Sequence, residues 1–161
     1  MAGKEESKMS NVQRMWLLIL TLTFYFSGAA KANDLDDIAA CAGVVIGNAA
    51  VDLQLDEEAS FDEGLRVAIT GYLSFVSSGS FSSDDLNLAD QIMASNTDII
   101  INAANTDTYD SAVYESVVGC YRLLSLAIIS TAPNVEANRA LIDETVSQKG
   151  SLIKRFIRAG R

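Results

Sequence analysis

Apolar positions along this chain recur three or four residues apart, and no segment alternates in twos over a useful length. Helices are therefore expected throughout. The heaviest run covers 109–129, where Tyr109, Val113, Val117, Cys120, Leu124, Ala127 and Ile128 form a stripe that Leu123, Leu126 and Ile129 widen. A helix apolar over most of its circumference belongs inside a bundle or a membrane. Ser116, Arg122 and Ser125 interrupt this one, leaving an apolar run too short for a bilayer. It is expected to be the central helix of a bundle.

The same period organises the rest. Leu35, Ile38, Ala39, Ala42, Val45, Ile46, Ala49, Ala50 and Leu53 define a first helix, with Asp34, Asp36 and Asp37 where acids complement the helix dipole. Ser60-Phe61-Asp62-Glu63 spells a capping box before a second stripe that runs from Phe61 to Val76. Ser82 and Ser83 open a third helix, whose stripe runs from Leu86 to Ala104. Ile99-Ile100-Ile101 has the composition of a strand, yet the spacing on both sides is helical. Asp107 or Thr108 is the expected cap of the 109–129 helix. Pro133 ends that helix and opens a last one, which keeps phase from Val135 to Ile157 across Gly150, as one bent helix or two short ones. The fold class is all-α, a single-domain bundle of about five helices stapled by one disulfide.

Two pairs of glycines stand inside these helices. Gly43 and Gly47 edge the first stripe, and Gly64 and Gly71, with Ala68, make a matching one on the second. A mid-helix glycine costs about 1 kcal/mol relative to alanine. The four therefore mark a groove of close approach, filled by a neighbouring helix or by a ligand.

The start of the chain has a different character. Met15 to Phe26 carries no charge, with Arg14 before it and Ala30-Lys31-Ala32 after it. A basic n-region, a short apolar stretch and an Ala-x-Ala site read as a signal peptide over 1–32. Cleavage leaves a helical domain over 33–161 with a basic C-terminal helix at 150–159. An exported protein, periplasmic or extracellular, is expected, with Cys41 and Cys120 joined as its one disulfide. The chain contains no Asn-x-Ser/Thr sequon, which suits a bacterial envelope or secreted product.

Charge divides this domain. Asn33 to Glu144 holds nineteen acidic and three basic residues, a net charge of −16. Ser147 to Arg161 holds five basic residues and no acid. Such a body repels nucleic acid and anionic lipid, so no nucleic-acid partner is expected. The tail does the opposite. Leu152, Ile153, Phe156 and Ile157 form one face of it, while Lys154, Arg155 and Arg158 offer contact to an anionic surface. Against that stands an intramolecular reading, favoured by unbroken helical phase, in which the apolar face completes the core.

Candidate chemistry is sparse. The chain has no histidine, which removes the commonest metal ligand and the usual base near neutral pH. Asp52, Asp56, Glu57 and Glu58 cluster, as do Asn105, Asp107 and Asp110, without the ligand spacing or terminal glutamate of an EF-hand. These are expected to be solvated turns. Arg122 is expected to snorkel outward or pair with a carboxylate. Tyr72, Tyr109, Tyr114 and Tyr121 are expected in the core with their hydroxyls at its rim. No cofactor, metal or catalytic residue is assigned. The functional expectation is a non-enzymatic module that binds a partner protein or a small apolar ligand. Contact with a membrane surface through the C-terminal segment is the alternative, and a carboxylate-dependent hydrolase ranks third.

Overall fold

A computed structural model describes residues 32–159 as six helices, with no strand among the described residues. They are α1 (Ala32–Gln54), α2 (Glu58–Val76), α3 (Ser83–Asn105), α4 (Ser111–Ser130), α5 (Ala132–Ala137) and α6 (Arg139–Ala159). The leader expected over 1–32 lies outside the described residues, except for Ala32.

The central helix is α1, a correction to the expectation for 109–129. It packs against α2, α3 and α4 and touches α6. Ten of its apolar side chains are buried: nine, from Leu35 and Ile38 through Val45 and Ile46 to Leu53, share one broad face, and Val44 is buried on the opposite side. Interspersed Ala and Gly let three neighbours close in at once. On α4 only Val117, Leu124 and Ala127 are buried, whereas Leu126 and Ile129 are 51% and 72% exposed. By length and composition α4 also meets the requirement for crossing a membrane, contrary to the expectation from its polar interruptions. Its inner face belongs to the bundle nonetheless. Cys41 of α1 and Cys120 of α4 form a disulfide across a Cα–Cα distance of 4.7 Å. Closing a loop of 79 positions is worth about 4.5 kcal/mol in the chain-entropy view.

Turns explain where the helices begin. Asp56 adopts left-handed backbone (φ 64°), which lets the Glu57 N–H donate to the Asp52 carbonyl at 2.9 Å. The chain therefore re-enters helix at Glu58, and the Ser60 and Glu63 of the expected capping box fall inside α2. A capping box exists one helix later, where Ser82 and Asp85 satisfy each other's backbone amides at the start of α3. The cap of α4 is Asp110, whose Oδ1 accepts from the Ala112 and Val113 amides at 2.9 and 3.0 Å. Asp107 instead takes a left-handed turn (φ 54°) that lets the Thr108 amide return to Ala103. Tyr109 therefore precedes α4 and packs on a small cluster of Val44, Ile100 and Val117.

Pro133 sits in the first turn of α5, as its fixed φ and missing amide favour. The break in the last segment comes at Asn138, and α6 runs unbroken through Gly150. That makes six helices, one more than the spacing suggested, and the basic stretch 150–159 is the second half of α6.

An apolar cleft between the first, third and last helices

Gly150 and Lys154 fix where α6 lies. A Cβ at Gly150 would stand 3.3 Å from Leu65 Cδ2, so its absence brings α6 close to α2. One turn on, Lys154 Nζ reaches Glu58 Oε1 at 2.7 Å and Asp62 Oδ1 at 3.0 Å and lies 5.1 Å from the Phe61 ring centroid. The hydrogen bond to Glu58, the largest influence, raises the Lys154 pKa against the opposing effect of desolvation. Arg66 and Asp143 add a second link, 2.7 Å and exposed. Exposed ion pairs contribute little energy, and these act mainly on orientation. Ile153 and Ile157 consequently pack against the main core.

Leu152 and Phe156 do not. They are 59% and 84% exposed, which corrects the expectation that all four apolar residues complete the core. Each is one residue short of a packed isoleucine, and 100° per residue turns it off the α2 contact. With Ile153 and Ile157, which also line it, the pair borders a cleft whose floor is Ile46 and Ala50 of α1 and whose far wall is Thr97, Asp98 and Ile101 of α3. Its volume is about 680 Å³, within the range usual for small-molecule sites. Gln54, Asp98 and Asn105 give the rim polar groups. Thr97 is already committed, since its hydroxyl donates to the carbonyls of Gly43 and Met93. The cleft thus has apolar walls and a polar edge, with Asp98 the one carboxylate among its lining residues.

The four glycines are not gathered at this cleft. Gly43 and Gly47 face α3, where an added Cβ would strike the Met93 carbonyl or stand 2.8 Å from Ile100 Cβ. Gly64 and Gly71 face α4, with an added Cβ 2.6 Å from the Tyr121 hydroxyl and 2.9 Å from Leu124 Cδ2. The two pairs meet different partners, so they do not form one shared groove. Of the basic trio, Lys154 is engaged within the fold, while Arg155 and Arg158 are exposed.

The tyrosines are dispersed too. Tyr72 donates to Asp90, and burial raises its pKa. Tyr109 donates to Asn48 Oδ1, and Asn48 in turn donates to Asp52 at 3.1 Å. Burial, then Asp52 and Glu63, push Tyr121 up to about 12. Tyr114 is 61% exposed. Among the described residues no three His, Cys, Asp or Glu side chains gather as a metal site.

No protein-family model, curated protein or solved structure matches this chain at a significant level.

Sequence reasoning did not find Ile46, Ala50 and Ile101 as cleft residues. Three consecutive isoleucines were the available signal, because one helix face cannot bury them all. Ile100 is buried, Ile99 is 57% exposed, and Ile101 lines the cleft.

Proposed function

We propose that this protein is an exported, non-enzymatic helical module that takes a small apolar ligand into the cleft between α1, α3 and α6. The observation that carries the reading is a cleft of about 680 Å³ walled by Ile46, Ala50, Ile101, Leu152 and Phe156. A disulfide in the fold suits an oxidising compartment outside the cytoplasm. Asp98 on the rim, beside Gln54 and Asn105, favours a neutral or cationic head over a carboxylate. The chemistry that fits is a slender hydrocarbon or aromatic body ending in a hydroxyl or amine.

The test uses Phe156→Trp as a fluorescent reporter at the cleft mouth, titrated with a long-chain alcohol and with the matching fatty acid. Saturable quenching or blue shift by the alcohol, weaker with the acid, is expected. Ile101→Trp, which fills the cleft from the α3 wall, should abolish uptake in an otherwise normally folded protein. Absence of saturable binding, or uptake indifferent to the Ile101 change, would overturn the reading.

The exposure of Phe156 beside Arg155 and Arg158 supports a second reading, contact with an anionic membrane surface. Salt-sensitive binding to anionic vesicles, lost in Arg155→Glu/Arg158→Glu, would favour it.

A further inference from the structure

The outward face of α4 is unaccounted for within one copy of the chain. Ala112, Glu115, Gly119, Arg122, Leu126 and Ile129 are all exposed, and their spacing is 3-4-3-4-3. That is the heptad spacing of a helix–helix seam, running back to back with the stripe that α4 turns to its own bundle. Leu126 and Ile129 are more than half exposed at one end of this seam. Gly119 stands in its middle. Every other helical glycine considered above has a neighbour that a Cβ would meet, whereas a Cβ at Gly119 would meet nothing within 4 Å. Glu115 and Arg122 flank it two turns apart, about 10.5 Å along the axis at 1.5 Å per residue. Neither has an ion-pair partner among the described residues.

We infer that this face pairs with the same face of a second copy, antiparallel, about a twofold axis near Gly119. The seam complements itself only in that direction. Ala112 then faces Ile129 of the second copy and Gly119 faces Arg122, so a small residue meets a large one in these layers, while Glu115 lies opposite Leu126. Arg122 lies across the second copy's Gly119 and reaches Glu115 one turn beyond, and the twofold repeats the pair. Polar residues within an otherwise apolar seam fix register and direction. The site also suits a strongly acidic chain, because α4 carries one acid and one base and is the place where two copies repel least. A bilayer would instead have to accept both charges without partners, which is costly. Dimerisation through α4 leaves the cleft free, so the inference is independent of the ligand reading.

The test is sedimentation of the exported full chain from low to high micromolar concentration, with and without lipid vesicles. A reversible dimer is expected for the unaltered protein. Arg122→Glu and Glu115→Arg should each weaken it by roughly ten- to hundredfold, because each sets like charges together at two symmetric places. The double exchange should restore it to within a few-fold. All these positions are exposed, so unchanged thermal melts of the diluted variants are the control for folding. A monomer at every concentration, or a dimer indifferent to the reversals, overturns the inference. A chain that stays monomeric yet buries α4 in neutral vesicles overturns it as well and assigns the face to a bilayer.

Discussion

Gly43 and Gly119 are both mid-helix glycines with opposite surroundings. At Gly43 an added methyl runs into the backbone carbonyl of Met93, and backbone cannot rotate away as a side-chain tip can. Gly43→Ala should therefore destabilise by about 1–3 kcal/mol as α1 and α3 are forced apart. At Gly119 the methyl enters open space, and the gain in helix propensity should stabilise the protein by up to about 1 kcal/mol. Urea unfolding followed by circular dichroism at low protein concentration reads both, and shifts of the same sign would refute the close-approach account of Gly43. The sequence flagged Gly43 through its partner at Gly47, a spacing that implies contact with something. It could not say what, since the partner at Met93 lies fifty residues away and is a backbone atom with no signature of its own.

Helical period identified the elements well, because it is a property of each segment alone. Rank within the bundle is not. The 109–129 stretch is the richer in large apolar groups, yet α1 takes the centre because its alanines and glycines let α2, α3 and α4 all approach it closely. The cleft was hidden for a related reason. Leu152, Ile153, Phe156 and Ile157 form one apolar set in sequence, and the close approach of Gly150 to Leu65, with the Lys154 links to Glu58 and Asp62, decides which two are the more buried. This division makes the two halves of the set separable. Deleting Ser151 to Arg161 should remove the partial burial of Ile153 and Ile157, lowering stability by about 2–3 kcal/mol while leaving a folded bundle. The double change Leu152→Ser/Phe156→Ser should leave the thermal melt nearly where it was and impair only ligand uptake. A truncation with an unaltered melt would mean that α6 is not packed on α2.

Charge acts on the whole molecule, and its pH dependence has a definite shape. The region from Asn33 to Glu144 carries −16, so at neutral pH the folded state works against its own field. Asp52 adds to this. Burial, then the charge of Glu57, raises its pKa above the ordinary 3.8, so folding favours its protonated form. That contribution is complete below 3.8 and is lost as pH rises through the raised value. Asp85 and Glu136 behave oppositely. The Ser82 cap holds Asp85 below its ordinary range, and the hydrogen bond from Arg139 does the same for Glu136. Their contributions are present above 3.8 and 4.5 and disappear as pH falls through the lowered values. Lys154, raised by Glu58, matters only at the alkaline end, where its contribution is lost above its raised pKa, beyond the ordinary 10.5. The melting temperature should therefore climb as pH falls from neutral into the carboxylate range, where self-repulsion fades and Asp52, its pKa raised, takes up its proton ahead of an ordinary aspartate. It should fall again at still lower pH, as Asp85 and Glu136 are neutralised on passing through their lowered pKa values. In Asp52→Asn the protein should melt higher at neutral pH, and its advantage over the unaltered chain should vanish on the acid side. Added salt at pH 7 should raise the melt, since screening of a dense negative surface outweighs the weakening of a few exposed pairs. Calorimetry across pH and salt measures all of this on one protein. A melt that declines steadily from pH 7 downward would show that the carboxylates stabilise this fold more through their partners than they strain it through their number.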